Sequence, residues 1–309
     1  MTVRHRQAQS TKGFSRRYLL GAGICLMSYP LLETLSQNRK LEQTEPWEDD
    51  NERQREFPDE DDVSIPPQLP RTLSVPSRGE VIRSFTGQVP VYWGLEAPGV
   101  LKRLPASSGG VVLTVDFCGG PGGNAVDTLL LNALRQNGIP ATLFLNSRWI
   151  RENPLKSQEL ANDPLFELAN HGSAHSPLSV NGKSAYGIPG TKGPEEIYDE
   201  IITSNAVLED LTGRPQRFFR PGTAYMDDVA VQIVHALGLI PTGFSINGDG
   251  GATFTASIVA REVSSAAQGD IVIVHGNHPE GGTAQGLIQA LASTRDLNGK
   301  FMHFPATVA

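Results

Sequence analysis

The sequence predicts the α/β class, with a parallel sheet covered by helices. Two observations carry this. From Val111 onward, short apolar runs rich in β-branched residues alternate with stretches of helical period, for about 200 residues. The ionisable residues that stand out fall at the ends of the apolar runs. In (β/α) barrels those ends converge on one face, which carries the functional groups.

The elements follow in order. "VVLTVD" (111–116) reads as a buried strand, and "AVDTLLLNALRQNG" as an amphipathic helix stopped by Gly138. "IPATLFLN" is the next strand, and "SRWIREN" and "PLKSQELAND" are helical. "LFELANH" is a third strand. "PEEIYDEIITSNAVLEDLTG" is a long helix, with Pro194 near its start and Gly213 after its end. Strand "QRFFRP", helix "MDDVAVQIVHALG" and strand "IPTGFS" come next, then helix "TASIVAREVSSA", strand "DIVIVH" and helix "GTAQGLIQALASTRD". Ahead of them, "EVIRSFTGQVPVYWGLEAPGVLKRLP" suggests a short hairpin against the main domain.

Three segments are expected: an export signal or anchor at 1–35, a linker at 36–75 and a folded domain at 76–309. In the first, a basic stretch precedes a 15-residue apolar run, Tyr18 to Leu32. That run is short for a spanning helix, which needs about 20 residues. Arg16 and Arg17 in "SRRYLL" look like a twin-arginine signal. An ordinary membrane anchor is the alternative. Pro30 interrupts the run, and no small-x-small cleavage site follows. The expectation is export to the periplasm or cell envelope, with membrane contact only through an uncleaved signal.

The linker is acidic and Pro-rich, and residues 42–62 alone hold 11 acids. Residues 63–309 carry 21 acids against 17 bases, and no Lys/Arg run suggests a nucleic-acid partner. The chain has two cysteines. Removal of the signal with Cys25 would leave Cys118 alone, without an intrachain disulfide.

Asp116, His171, Arg220 and His275 each close a strand, and Asp249 lies just past another. In "NHGSAHSP", His171 and His175 are four apart, which on a helical turn puts both imidazoles on one side. They make half of a tetrahedral metal site, which a carboxylate or water could complete. A pair of hydrogen-bonded loop histidines is the competing reading. Arg220 can pair with Asp116 and hold it ionised. A histidine such as His275 can protonate a leaving amine near neutral pH. No role follows for His278, and His235 reads as packing or surface. Trp149 and Tyr225 are candidate sugar-stacking residues, each as readily explained by packing.

"TVDFCGG", "HGSAH", "FRPGTAY", "INGDGG" and "IVIVHGN" occur in this order over Val111 to Ala309. In that order they resemble the polysaccharide deacetylase family, the NodB-homology domain of carbohydrate esterase family 4. The resemblance implies a distorted (β/α) barrel and a metal-dependent hydrolase that removes N-acetyl groups from an extracytoplasmic glycan. It implies Asp116 as catalytic base, Arg220 as its orienting arginine and His275 as general acid. Asp249 would support that acid, with Asn247 as the alternative. His171 and His175 would be ligands of a divalent metal, zinc first.

The first motif departs from the family. Two adjacent aspartates are usual there, the second a metal ligand. Here Phe117 follows Asp116, then Cys118 and two glycines. Three readings follow: Asp116 turns to the metal, water or the Cys118 thiolate fills the vacancy, or the site is weak and the protein a non-catalytic binder. The favoured expectation is a metal held by His171, His175 and Asp116, with Cys118 a small residue in a tight turn. Hydrolysis of a small non-sugar amide or ester is the enzymatic rival, and a carbohydrate-binding pseudoenzyme the other.

Overall fold

A computed structural model describes residues 75–293 and 300–308. The expected export signal and all of the acidic linker except Val75 lie outside the described residues. No described helix is long and apolar enough to cross a membrane.

The central strands are β2 (Val111–Phe117), β3 (Ala141–Leu145), β4 (Phe166–Asn170), β5 (Phe218–Phe219), β7 (Ile240–Pro241), β8 (Ile246–Asn247) and β9 (Ile271–His275). They pair in the order β7-β5-β4-β3-β2-β9-β8, all parallel. The result is a curled, open half-barrel with helices outside, as expected. An eighth strand, β10 (Phe301–Met302), pairs with the first residues of β2.

Both faces of β2 are buried, which explains its unbroken apolar run. Period-two alternation divides its side chains. Val111, Leu113, Val115 and Phe117 join Leu130 and Leu134 of α2 (Thr128–Gln136) and Leu287 of α8 (Thr283–Ser293) in the outer core. Val112 packs instead with Phe144, Ala169 and Phe218 in a separate cluster. Asp116 shares parity with Val112, so the strand aims it away from the outer core. Register then levels the strand ends. Asp116 lies opposite His275, Phe117 opposite Leu145, and Leu145 opposite Asn170.

The remaining helices are α3 (Ser147–Glu152), α4 (Pro154–Ala161), α5 (Pro194–Thr212), α6 (Asp228–Ala236) and α7 (Ala256–Ser264). Their ends obey the sequence signals. Asp127 caps α2 by accepting from the Leu130 N–H at 2.9 Å. Gly213 ends α5 in the left-handed region at φ 67°.

The N-terminal part differs from the expected hairpin. It forms a helix, α1 (Arg78–Phe85), and a two-residue β1 (Trp93–Gly94) that pairs antiparallel with β6 (Met226–Asp227). The cause is a capping box: the Ser77 side chain accepts from the Glu80 N–H, and the Glu80 carboxylate from the Ser77 N–H. The expected strands around Phe218 and Ile240 shrink to two residues each. Pro221 and Pro241, which offer no N–H, stand beside or within them.

Candidate active site

Asp116 is 2% exposed, and Arg220 is fully buried against it. The Arg220 Nη1 donates to Asp116 Oδ1 at 2.6 Å and to Thr114 Oγ1 at 2.9 Å. Nη2 donates to the Gly243 carbonyl at 2.8 Å, Nε reaches the Thr242 carbonyl at 3.3 Å, and the guanidinium stacks over Phe144. A buried ion pair is stable when its remaining groups are hydrogen-bonded, as these are. Burial pulls the Arg220 pKa below the ordinary guanidinium value against the opposing pull of Asp116, and the group stays cationic. The expected Asp116–Arg220 pairing is therefore present as a fixed interior contact.

His171 follows β4 directly and is fully buried. Its Nδ1 faces the Arg220 carbonyl at 2.9 Å, which leaves Nε2 to face the site. The segment from His171 to His175 is a loop, where a helical turn was expected. Glu200 of α5 takes over the helix's ordering role. Its carboxylate accepts from the Ala174 and Ser176 N–H groups and the Ser173 hydroxyl. Asn146 adds a bond from its side-chain amide to the His171 carbonyl at 2.8 Å. His175 sits at φ 63°, an uncommon conformation for a residue with a side chain. Gly222 lies against it, where a Cβ would come within 2.2 Å of His175 Cγ. The two imidazoles meet edge to face, 5.1 Å between centroids.

The side chain that completes a compact donor group with them is Cys118. The donor atoms of Cys118, His171 and His175 all lie within 4.8 Å of one another. Cys118 Sγ is 3.7 Å from His171 Nε2, and the buried Nε2 of His175 has no hydrogen-bond partner. Asp116, the expected third ligand, stands beside this group with Oδ2 3.6 Å from His171 Nε2. It falls outside the mutual span, because its other oxygen is committed to Arg220. Strand alternation brings Cys118 to the same side of β2 as Asp116 and turns Phe117 to the core, 4.6 Å from Trp149. Burial pushes the Cys118 thiol up, but His175, His171 and His275 outweigh it and hold the group well below an ordinary thiol. Burial likewise disfavours protonated His171, yet Asp116 and Cys118 raise it above the usual histidine value.

On the neighbouring strand end, His275 Nδ1 lies 2.9 Å from Asp249 Oδ1. Asp249 Oδ2 accepts from the His275 N–H at 2.6 Å and from Thr283 Oγ1 at 2.9 Å. Burial disfavours both charges, but their mutual attraction prevails: His275 titrates well above an ordinary histidine, and Asp249 below an ordinary carboxylate. Asp249, and not Asn247, supports the histidine. The Asn247 side chain accepts from the Gly250 N–H in a local turn.

Other candidates fall away from this cluster. His278 pairs with Glu280, and His235 faces the Gly99 carbonyl. Trp149 is fully buried core, its indole N–H donating to the Ala125 carbonyl, so it offers no sugar platform. Tyr225 is partly buried between Trp93 and Tyr186. Sequence reasoning missed Glu200, Thr114 and Thr283. A glutamate on the inner side of a long amphipathic helix was the available signal for the first, and the other two carried none.

Residues 104–241 match the family model for polysaccharide deacetylase. A curated relative, the bifunctional xylanase/xylan deacetylase of Cellvibrio japonicus, is 25% identical over 163 residues, covering 52% of this chain. The chain spans only 22% of that relative's length. Among solved structures, a carbohydrate esterase family 4 pseudoenzyme from Bacillus anthracis superposes with TM-score 0.54 at 21% identity, covering 65% of this chain and 66% of the other. A peptidoglycan N-acetylglucosamine deacetylase gives TM-score 0.54 at 20% identity, covering 67% and 92%. A family 4 esterase from Bacillus subtilis gives 0.51 at 15%, covering 70% and 81%. The match over residues 104–241, the motif order and the fold together support a polysaccharide deacetylase domain of the NodB-homology type.

Proposed function

We propose that this domain is a metal-dependent hydrolase that removes N-acetyl groups from an N-acetylated glycan outside the cytoplasm. One observation carries the reading. A buried carboxylate–arginine pair and a carboxylate–histidine dyad stand level on adjacent strands, Asp116 opposite His275, beside a cluster of cation donors. A base, an acid and a Lewis-acid site are the parts that amide hydrolysis requires.

The orphaned Nε2 of His175 and the Cys/His/His donor chemistry fit a divalent ion such as zinc. When bound, that ion supplies Lewis acidity that polarises the acyl carbonyl and lowers the pKa of water. The chain's own residues do the rest. Arg220 engages Asp116 through Oδ1, which leaves Oδ2 to take a proton from the attacking water. His275 keeps its proton near neutral pH and delivers it to the departing amine. Asp249 fixes the imidazole through Nδ1 and compensates its charge. Thr283 and the His275 N–H keep Asp249 in place.

The relatives support the polymer class: one is named for xylan, another for peptidoglycan N-acetylglucosamine. The family 4 pseudoenzyme supports the rival reading of a non-catalytic glycan binder. The zinc-loaded full chain should release acetate from N-acetylglucosamine oligosaccharides, measured by acetate assay with mass detection of the deacetylated product. Binding of the oligosaccharide without release would favour the pseudoenzyme. Release from small amides and esters alone would favour the non-sugar hydrolase.

A further inference from the structure

We propose that the Cys118 thiolate is a third protein ligand of the divalent ion, beside His171 and His175. The chain then carries a sulfur-containing site where the family pattern supplies an aspartate. This rests on the metal-dependent reading above and specifies its chemistry.

Four features of the structure lead here. First, position 117, which holds the second aspartate in the family pattern, is given to the core. Phe117 is fully buried against Trp149, and a Cβ at Gly276 would come within 2.3 Å of its ring. A carboxylate at 117 would have to leave that packing to reach the site. Second, one step along the chain the backbone brings a sulfur to the cluster. Ordinary zinc distances, about 2.3 Å to sulfur and about 2.0–2.1 Å to nitrogen, give a tetrahedral S–N edge of about 3.6 Å. The Cys118 Sγ to His171 Nε2 separation is 3.7 Å.

Third, the three donors lack enough partners among themselves. A thiolate and two imidazole nitrogens converge within 4.8 Å, and the His175 Nε2 is buried with nothing to bond. A single proton satisfies one pair of them, whereas a divalent cation satisfies all three. Fourth, the Cys118 segment is held in place. The Arg148 guanidinium contacts the carbonyls of Cys118 and Gly119, and the Gly119 N–H donates to the Gly123 carbonyl at 3.1 Å. Gly119 stands at φ 67°, with the Trp149 N–H where a Cβ would be. Such bracing is what a ligand needs from its surroundings.

A thiolate changes which ions the site prefers. Sulfur favours zinc and cobalt over the hard ions magnesium, calcium and manganese. The test uses the full chain, stripped of metal and titrated with cobalt(II) or with zinc. Wild type should bind one cobalt with a thiolate-to-cobalt charge-transfer band in the near ultraviolet. Zinc-edge X-ray absorption should show one sulfur at about 2.3 Å. Cys118→Ser should lose the band. Its zinc affinity should fall by more than the roughly 10–100-fold that an outer-sphere change costs. Its preference for zinc over manganese should shrink.

Stoichiometric cobalt without the band, or zinc with only nitrogen and oxygen neighbours, overturns the thiolate and leaves the deacetylase reading standing. Failure to bind either ion, with acetate still released, overturns both the thiolate and the metal dependence. The wild-type spectra decide the question even if Cys118→Ser does not fold.

Discussion

The two sides of the candidate site are built differently. On the β9 side, His275, Asp249 and Thr283 form a closed set: Asp249 accepts from three donors, and the imidazole Nδ1 has its partner. On the β2 and β4 side, Cys118, His171 and His175 converge with an unpartnered nitrogen among them. The first set is finished by the chain alone. The second, on the proposed reading, is a receptor completed by a cation. Asp116 stands at the boundary, with one oxygen fixed by Arg220 and the other next to His171. A proton-donating acid is useful when preorganised, and a metal site is useful when it pays for its own assembly by binding.

Breaking the boundary should have the largest effect on stability. Arg220→Met removes the partner of a buried carboxylate and leaves three acceptors around it without their donor. The expected cost is about 3–5 kcal/mol, read by urea unfolding. A loss below about 1 kcal/mol would mean that this buried contact contributes little to the fold.

The closed side is sharpened by pH. Burial lowers the His275 pKa, but Asp249 raises it further, so the proton stays on to a pH well above that of an ordinary histidine. In the proposed mechanism His275 acts as an acid, so activity should persist until pH rises through that value. Asp249→Asn removes the raising charge. The alkaline limb of kcat/KM should then move to lower pH, with the deficit against wild type growing as pH rises. Measured pH–rate profiles with the limb unmoved would remove Asp249 from the dyad's electrostatics.

A contact remote from both sides sets the scale for a purely structural effect. Ser77→Ala breaks the capping box of α1 and should cost about 1 kcal/mol, read as a small drop in Tm, with zinc affinity and turnover unchanged.

Much of this was legible in the sequence, for identifiable reasons. The parallel sheet was visible because strands buried on both faces, such as β2, write continuous apolar runs. The candidate cluster was visible because Asp116, His171, Arg220 and His275 stand at run ends. Less legible was anything set by side-chain direction. Alternation along β2 puts Cys118, and not Phe117, beside Asp116, but the sequence does not say whether the strand continues straight through "DFC". The loop conformation of "HGSAH" was hidden because Glu200, 25 positions beyond His175, replaces the helical turn. The hairpin expected near Val81 gave way to α1 because the Ser77–Glu80 capping box starts a helix at Arg78.

The most direct test of the central claim is zinc binding and acetate release measured together on Asp116→Asn. The account makes Asp116 the base and the Cys/His/His cluster the cation site. It therefore predicts zinc affinity within about threefold of wild type, with acetate release reduced by about 100-fold or more, the scale of a lost general base. Loss of zinc in step with activity would contradict it and make Asp116 a ligand, the expectation drawn from the missing second aspartate.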